Sequence, residues 1–203
     1  MPDPVSNNAM RQQNMREMIL ATATGGMAIA LSTILSILTV IKMPQGGSLT
    51  ICSMLPLIFC ALAFGPAWGI GVGIVYGLLQ FIIEPITVHW ASIIMDYPLA
   101  FGLLGLAGLF AAPAARRKTE KNILRRVGML PLPRIALSVV IAMGCRLIVH
   151  VLSGVIFFAS YAPEGQNVWV YSLFYNASYL VPEMAITCAV LVPLAAILGP
   201  RKA

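Results

Sequence analysis

Four ionisable residues, Asp96, Arg146, His150 and Glu183, stand inside or at the edges of otherwise apolar stretches. A charge at the centre of a bilayer costs about 2.5–3.5 kcal/mol even on lenient insertion scales, so four such positions in one short chain point to a purpose. Asp96 has no cation three or four residues away, and Tyr97 follows it. A carboxylate beside an aromatic in an apolar pocket suits an organic cation: the charge attracts it, and ring faces add about 0.5–2 kcal/mol. Arg146, His150, Gly154 and Phe158 recur every fourth residue and so share one helix face. Asn176, Tyr179 and Glu183 form a similar face further along. With Asp96 and Tyr97 these faces converge on a cavity open to the exterior. Plainer roles exist for each residue. Arg146 and Glu183 fall at similar depth and could neutralise one another as a buried ion pair. His150 alone would serve as a helix-to-helix hydrogen bond, and Trp169, Tyr171 and Tyr175 as interfacial anchors.

The elements that must position these residues follow from composition. The 203 residues are 59% hydrophobic and 10% charged, with a mean hydropathy of +0.88. A soluble domain carries about 25% charged residues, so this chain belongs in lipid. Apolar runs occupy residues 19–41, 48–64, 67–84, 90–115, 134–160 and 171–198, separated by Pro, Gly or charge. The first lacks a small-residue cleavage site and reads as a retained span. Seven of the 13 basic residues lie between Arg116 and Arg134; others flank the runs as Arg11 and Arg16, and as Arg201 and Lys202. If all three clusters face the cytoplasm, an even number of spans separates each pair, and the stretch 19–115 holds four. The expectation is an all-α membrane protein of six transmembrane helices with both termini cytoplasmic. It divides into an N-terminal segment 1–18, a membrane domain 19–198 with a basic cytoplasmic loop 116–134, and a tail 199–203. That loop reads as a topology anchor in contact with anionic lipid rather than with nucleic acid.

Small residues mark close helix contacts. Gly69, Gly73 and Gly77, and Ala107, Ala111 and Ala115, repeat at four-residue spacing, which lets backbones approach in lipid. The first run carries Thr24, Ala28 and Ser32 beside Gly26 and Ala30, a candidate face for another subunit. Cys52, Cys60, Cys145 and Cys188 fall in apolar runs without C-x-x-C spacing and behave as small hydrophobes. Enzymatic readings find little support. There is no G-x-x-x-x-G-K-[ST] loop to cradle a nucleotide, and none of the four lysines follows a glycine. His89 and His150 are too far apart for a zinc motif, and no G-x-S-x-G elbow is present. Neither a metal nor a cofactor is expected.

Five segments in order carry a family resemblance: MPQGGSLT (43–50), VYGLLQF (75–81), MDYPLAFGLLGLAGLF (95–110), RLIVHVLSGVIFFASYAPEG (146–165) and WVYSLFYNASYLVPE (169–183). The chain resembles, over nearly its whole length, the thiamin-specific substrate-binding subunits (S-components, the ThiT/YuaJ family) of energy-coupling factor transporters. The resemblance implies a multi-pass protein of the bacterial cell membrane. Such a subunit captures thiamin from the exterior with high affinity and delivers it to a transmembrane scaffold with two ATPase subunits. It implies that Asp96 and Tyr97 face the thiazolium, and that Arg146 lies near the hydroxyethyl group with His150, Gly154 and Phe158 on the same helix. Tyr171 and Asn176 would meet the aminopyrimidine. It also implies that Thr24, Gly26, Ala28 and Ala30 dock to the scaffold. Some members carry Trp at Phe158, Lys at Arg146, Glu at Asp96, Tyr at Ile86 and a Trp in the loop that here reads MPQGG. The first three changes keep the chemistry, and the last two remove aromatic surface from the lid side. The alternatives are an S-component for another vitamin and a structural membrane subunit whose polar groups only fasten helices.

Overall fold

The structure, a computed structural model, describes residues 4–199. Arg201 and Lys202 of the expected tail lie outside the described residues. Helix α1 (Pro4–Ile37) is unbroken through residue 18, so the described part of the expected N-terminal segment forms its first turns. An antiparallel ribbon follows, β1 (Thr39–Lys42) and β2 (Ser48–Thr50), with Lys42 opposite Ser48. At its tip Gly46 and Gly47 take positive φ (94° and 85°) and fold the chain back on itself.

The second apolar run departs most from expectation. Only α2 (Leu55–Phe64) is helical, and its 10 residues rise about 15 Å at 1.5 Å each, half a bilayer core. Leu57, Ile58, Cys60, Ala61, Leu62 and Ala63 are all at most 1% exposed, so the run is apolar all round because other helices surround it. Pro56 starts the helix and Gly65–Pro66 ends it. Beyond that turn, α3 (Pro66–Ile83) is one of five helices long and apolar enough to cross a membrane. The others are α1, α4 (Trp90–Phe110), α7 (Leu132–Phe157) and α8 (Val168–Leu198). Two short helices, α5 (Ala114–Thr119) and α6 (Ile123–Gly128), form the basic loop.

Helix α4 is irregular in a way that serves the site. Pro98 cannot donate a backbone hydrogen bond, and Met95–Leu99 widens into a π turn in which the Ala100 N–H reaches the Met95 carbonyl. Leu103–Phe110 then tightens into 3-10 geometry. The glycine stripe of α3 lies against this helix. A β-carbon at Gly73 would strike the Phe101 carbonyl, and one at Gly77 would come within 2.5 Å of the Tyr97 carbonyl oxygen. The stripe is an internal helix contact.

The two stripes of α1 part company. Ala28 and Ser32 are buried and Thr24 is half-buried, facing the bundle, whereas Gly26 and Ala30 are exposed. Of the four residues expected at a docking face, Thr24 and Ala28 therefore point inward, because a helix surface holds both stripes only on different sides.

The basic loop is also more than a charged surface. Arg126 is fully buried and bidentate to Glu17 of α1 (2.6 and 2.8 Å), stands 5.3 Å over the Phe64 ring and donates to the Glu120 carbonyl. Lys118 donates to Asn14, and Gly128 packs on Leu198 and Gly199. The start of α1, the end of α8 and the basic loop thus gather at one end of the bundle, with the hairpin at the other.

Candidate functional site

Between α1, α3, α4, α7, α8 and the hairpin lies a cavity at the hairpin end of the bundle. Its walls include Asp96, Tyr97, Arg146, His150, Gly154, Phe158, Tyr171 and Asn176, so all eight residues singled out for ligand contact share one space. Three of the four costly ionisable residues line it, and Glu183 lies behind the wall.

Asp96 projects from the π turn. Its Oδ1 stands 3.1 Å from His150 Nδ1, and its Oδ2 accepts from Ser153 Oγ at 2.8 Å. Arg146 Nε donates to His150 Nε2 at 3.3 Å. An arginine can only donate, so Nε2 is the acceptor and the imidazole proton sits on Nδ1, directed at Asp96. The neutral ring therefore relays between one guanidinium and one carboxylate. Arg146 is 6% exposed, lies 4.2 Å over the Phe101 ring and directs Nη1 at the Met54 sulfur.

The ion pair of Arg146 with Glu183, open on sequence grounds, does not form. Glu183, 1% exposed, accepts hydrogen bonds from Thr50 and Ser53, which descend from the hairpin. The two side chains take different hydrogen-bond partners.

Aromatic rings enclose the upper part. Tyr171 and Tyr175 are 5.9 Å apart, Tyr175 and Tyr179 6.4 Å, and Phe158 faces Tyr161 at 6.0 Å. The Tyr97 hydroxyl accepts from the Ile86 N–H at 2.9 Å and donates to the Glu84 carbonyl at 2.6 Å, which holds the loop after α3 against the cavity. Asn176 Nδ2 donates to the Ser172 carbonyl at 2.9 Å, and its Oδ1 accepts from the Tyr179 hydroxyl at 2.8 Å. Gly154 leaves room for Ser172, whose hydroxyl a β-carbon there would strike.

Several wall residues escaped the sequence reading. Gln45, Gly46 and Gly47 cap the cavity, with Tyr175 as their clasp: its hydroxyl accepts from the Gln45 N–H at 2.9 Å and donates to the Gly46 carbonyl at 3.0 Å. The four-residue spacing of Tyr171, Tyr175 and Tyr179 was the available signal, since it puts three phenols on the face that carries Asn176. Trp169, by contrast, is 55% exposed and stays an outward anchor.

This arrangement holds a carboxylate, a guanidinium and an imidazole beneath aromatic walls, with fixed polar partners, and offers charge, hydrogen bonds and ring faces to a ligand. Among the described residues no group of His, Cys, Asp and Glu could hold a metal ion.

Comparison with known proteins bears on what such a cavity serves. The profile of the thiamine transporter protein family (Thia_YuaJ) matches residues 22–201. Thiamine transporter ThiT of Bacillus subtilis (strain 168) is 36% identical over 162 residues, 79% of this chain and 81% of that protein. Its counterpart in Lacticaseibacillus paracasei is 28% identical over 141 residues, 68% of each. A solved structure of ThiT from Listeria monocytogenes superposes with a TM-score of 0.73 over 90% of this chain and 99% of that one; at 19% identity it speaks for the fold. With its apolar helices and its span of family residues, the chain belongs to the thiamine transporter protein family, a family of multi-pass bacterial membrane transport proteins that are not enzymes.

Proposed function

We propose that this chain captures thiamin from the outer side of the membrane, with high affinity, and passes it inward as the substrate-binding subunit of an energy-coupling factor transporter. The observation that carries the reading is Asp96. Its carboxylate stands in an aromatic-walled cavity with a neutral imidazole and a serine hydroxyl as its hydrogen-bond partners. Its counter-charge, Arg146, acts on it through that imidazole, which leaves a negative site for an organic cation. The thiazolium ring has that charge and a flat face for Tyr97. Arg146, below, offers donors to the hydroxyethyl oxygen, and Phe158 and Tyr171 supply faces for the second ring.

The names of the related proteins support thiamin as the cargo. The absence of a nucleotide-binding loop from the sequence supports partners that supply the energy, a scaffold with two ATPases. The exposed small residues Gly26 and Ala30 are the face on which we place the scaffold. The basic loop and the neighbouring ends of α1 and α8 are assigned to the cytoplasm, since seven positive charges there favour that side.

Calorimetric titration of the purified protein in detergent tests the reading. Asp96→Ala should weaken thiamin binding by about 100-fold, the scale of losing a desolvated charge partner, while the fold persists. Unchanged affinity in both Asp96→Ala and His150→Ala would remove the site from consideration. Tighter binding of a neutral or anionic vitamin than of thiamin would reassign the substrate.

A further inference from the structure

A second cavity opens at the opposite end of the molecule, where α1, the α2–α3 turn and the basic loop meet. Its walls include Glu17, Phe64, Trp68, Arg117, Lys118 and Arg126. The charges there do not balance. Arg126 is neutralised by Glu17, the one carboxylate in the wall, through both carboxylate oxygens. Lys118 Nζ donates to a neutral acceptor, Asn14 Oδ1, at 2.7 Å. Arg117 forms no ion pair among the described residues. Its guanidinium is nevertheless placed: a β-carbon at Gly65 would come within 2.5 Å of Arg117 Nη1, so the side chain rests on the backbone of the α2–α3 turn. Burial, and then the positive charge of Arg126, hold the Arg117 guanidinium below the usual arginine range. A half-buried cation fixed beside other cations is costly until an anion joins it.

We propose that this cavity binds the phosphate of an anionic lipid headgroup, held by Arg117 and Lys118. Phosphate oxygens accept from a guanidinium fork and an ammonium together, and the negative charge offsets part of the excess that Glu17 leaves unmatched. The setting favours a lipid as the source of that phosphate. The cavity lies at the end of the apolar spans, with half-buried Trp68 in its wall at the level where indole rings sit among headgroups. Beside Glu17, α1 exposes Met18 and Ile19, apolar surface for acyl chains to cover. Basic pockets between spans are known places for acidic headgroups. The role goes beyond orientation. A topology anchor needs positive charge anywhere in the loop, which the outward-facing Arg116 and Arg125 already supply, whereas a headgroup site needs it at Arg117 and Lys118. A lipid seated there would bridge α1, the α2–α3 turn and the basic loop.

Native mass spectrometry of the detergent-purified protein, with melting temperature alongside, tests the site. The probes are phosphatidylglycerol, zwitterionic phosphatidylcholine and inorganic phosphate, at about 0.15 M salt so that exposed charges are largely screened. The wild type should retain phosphatidylglycerol in preference to phosphatidylcholine and melt at a higher temperature with it. Arg117→Gln should lose about tenfold in phosphatidylglycerol affinity, the scale of one charge-assisted contact, and most of that thermal gain. Arg125→Gln removes the same charge from an exposed position of the same loop and should stay within about twofold of wild type. Circular dichroism checks folding, and if Arg117→Gln does not fold, Lys118→Gln carries the same expectation. Wild-type affinity in Arg117→Gln, or an equal loss in Arg125→Gln, overturns the site. An equal thermal gain from inorganic phosphate overturns the lipid as its source. Wild-type lipid affinity in Arg117→Gln together with failed uptake in cells gives the cavity to a protein partner instead. The lipid titrations contain no thiamin, so they succeed or fail independently of the functional reading.

Discussion

Glu183 illustrates how a residue's type sets its cost and its neighbours set its role. A carboxylate this deep must be compensated, and a basic residue at matching depth made Arg146 the obvious partner. The carboxylate's hydrogen bonds come instead from two hydroxyls, Thr50 and Ser53, in a segment far away in sequence. Glu183 therefore ties α8 to the foot of the hairpin without lining the cavity. Glu183→Ala should lower stability by about 1–3 kcal/mol, seen as a fall in melting temperature, because the Thr50 and Ser53 hydroxyls lose their acceptor in a buried setting. Glu183→Gln, which keeps an acceptor, should recover most of that loss, with thiamin affinity within about threefold of wild type because the side chain lies outside the cavity wall. A large loss of affinity in Glu183→Gln at unchanged stability would place this carboxylate among the ligand-contacting groups. Arg126 makes the same point elsewhere: one residue of a run that sets orientation is buried, bidentate to Glu17.

At the scale of elements, the glycines of α3 and the irregularity of α4 belong together. The π turn at Met95–Leu99 directs Asp96 into the cavity, and the carbonyls of Tyr97 and Phe101 press on Gly77 and Gly73. A side chain at Gly73 would push the two backbones apart and displace the turn that carries the carboxylate. Gly73→Leu should destabilise the protein by about 2–4 kcal/mol, measured as a reduced melting temperature, and weaken thiamin binding along with it. Gly71 is the matched control, since a β-carbon there would meet nothing within 4 Å: Gly71→Ala should leave both near wild type. Equal tolerance at both positions would mean that α3 and α4 slide freely past one another.

For the whole molecule, the distribution of surface decides what can meet a partner. The cavity, hairpin and aromatic walls occupy one end, and the basic loop with the neighbouring ends of α1 and α8 the other. Along the side, α1 exposes Gly26 and Ala30, and a β-carbon at Gly26 meets nothing within the protein. A bulky residue on this strip should spare binding and block delivery. Ala30→Trp should bind thiamin like the wild type when purified, yet reduce thiamin uptake by cells at least about tenfold, as expected where close backbone approach is needed. Normal uptake in that variant would move the docking surface elsewhere.

The sequence by itself determined the membrane setting, the order of apolar segments and eight of the residues that line the cavity, because hydropathy, charge placement and four-residue spacing are local properties that survive without coordinates. Asp96, Tyr97, Arg146, His150, Gly154, Phe158 and Asn176 were legible in this way, as costly or regularly spaced exceptions, and Tyr171 through the family resemblance. Tertiary structure alone decided which partner each one takes. The run 48–64 is as apolar as a lipid-facing helix, yet only α2 is helical and it is buried by protein, since hydropathy does not distinguish a lipid neighbour from a leucine. The stripes of α1 likewise needed the bundle to separate inward Ala28 from outward Ala30. Pairings such as Glu17 with Arg126, Glu183 with Thr50, and Gln45 with Tyr175 join residues more than a hundred positions apart. Hydrogen-bond geometry acts through space over about 3 Å, and only the folded chain brings those groups within its reach.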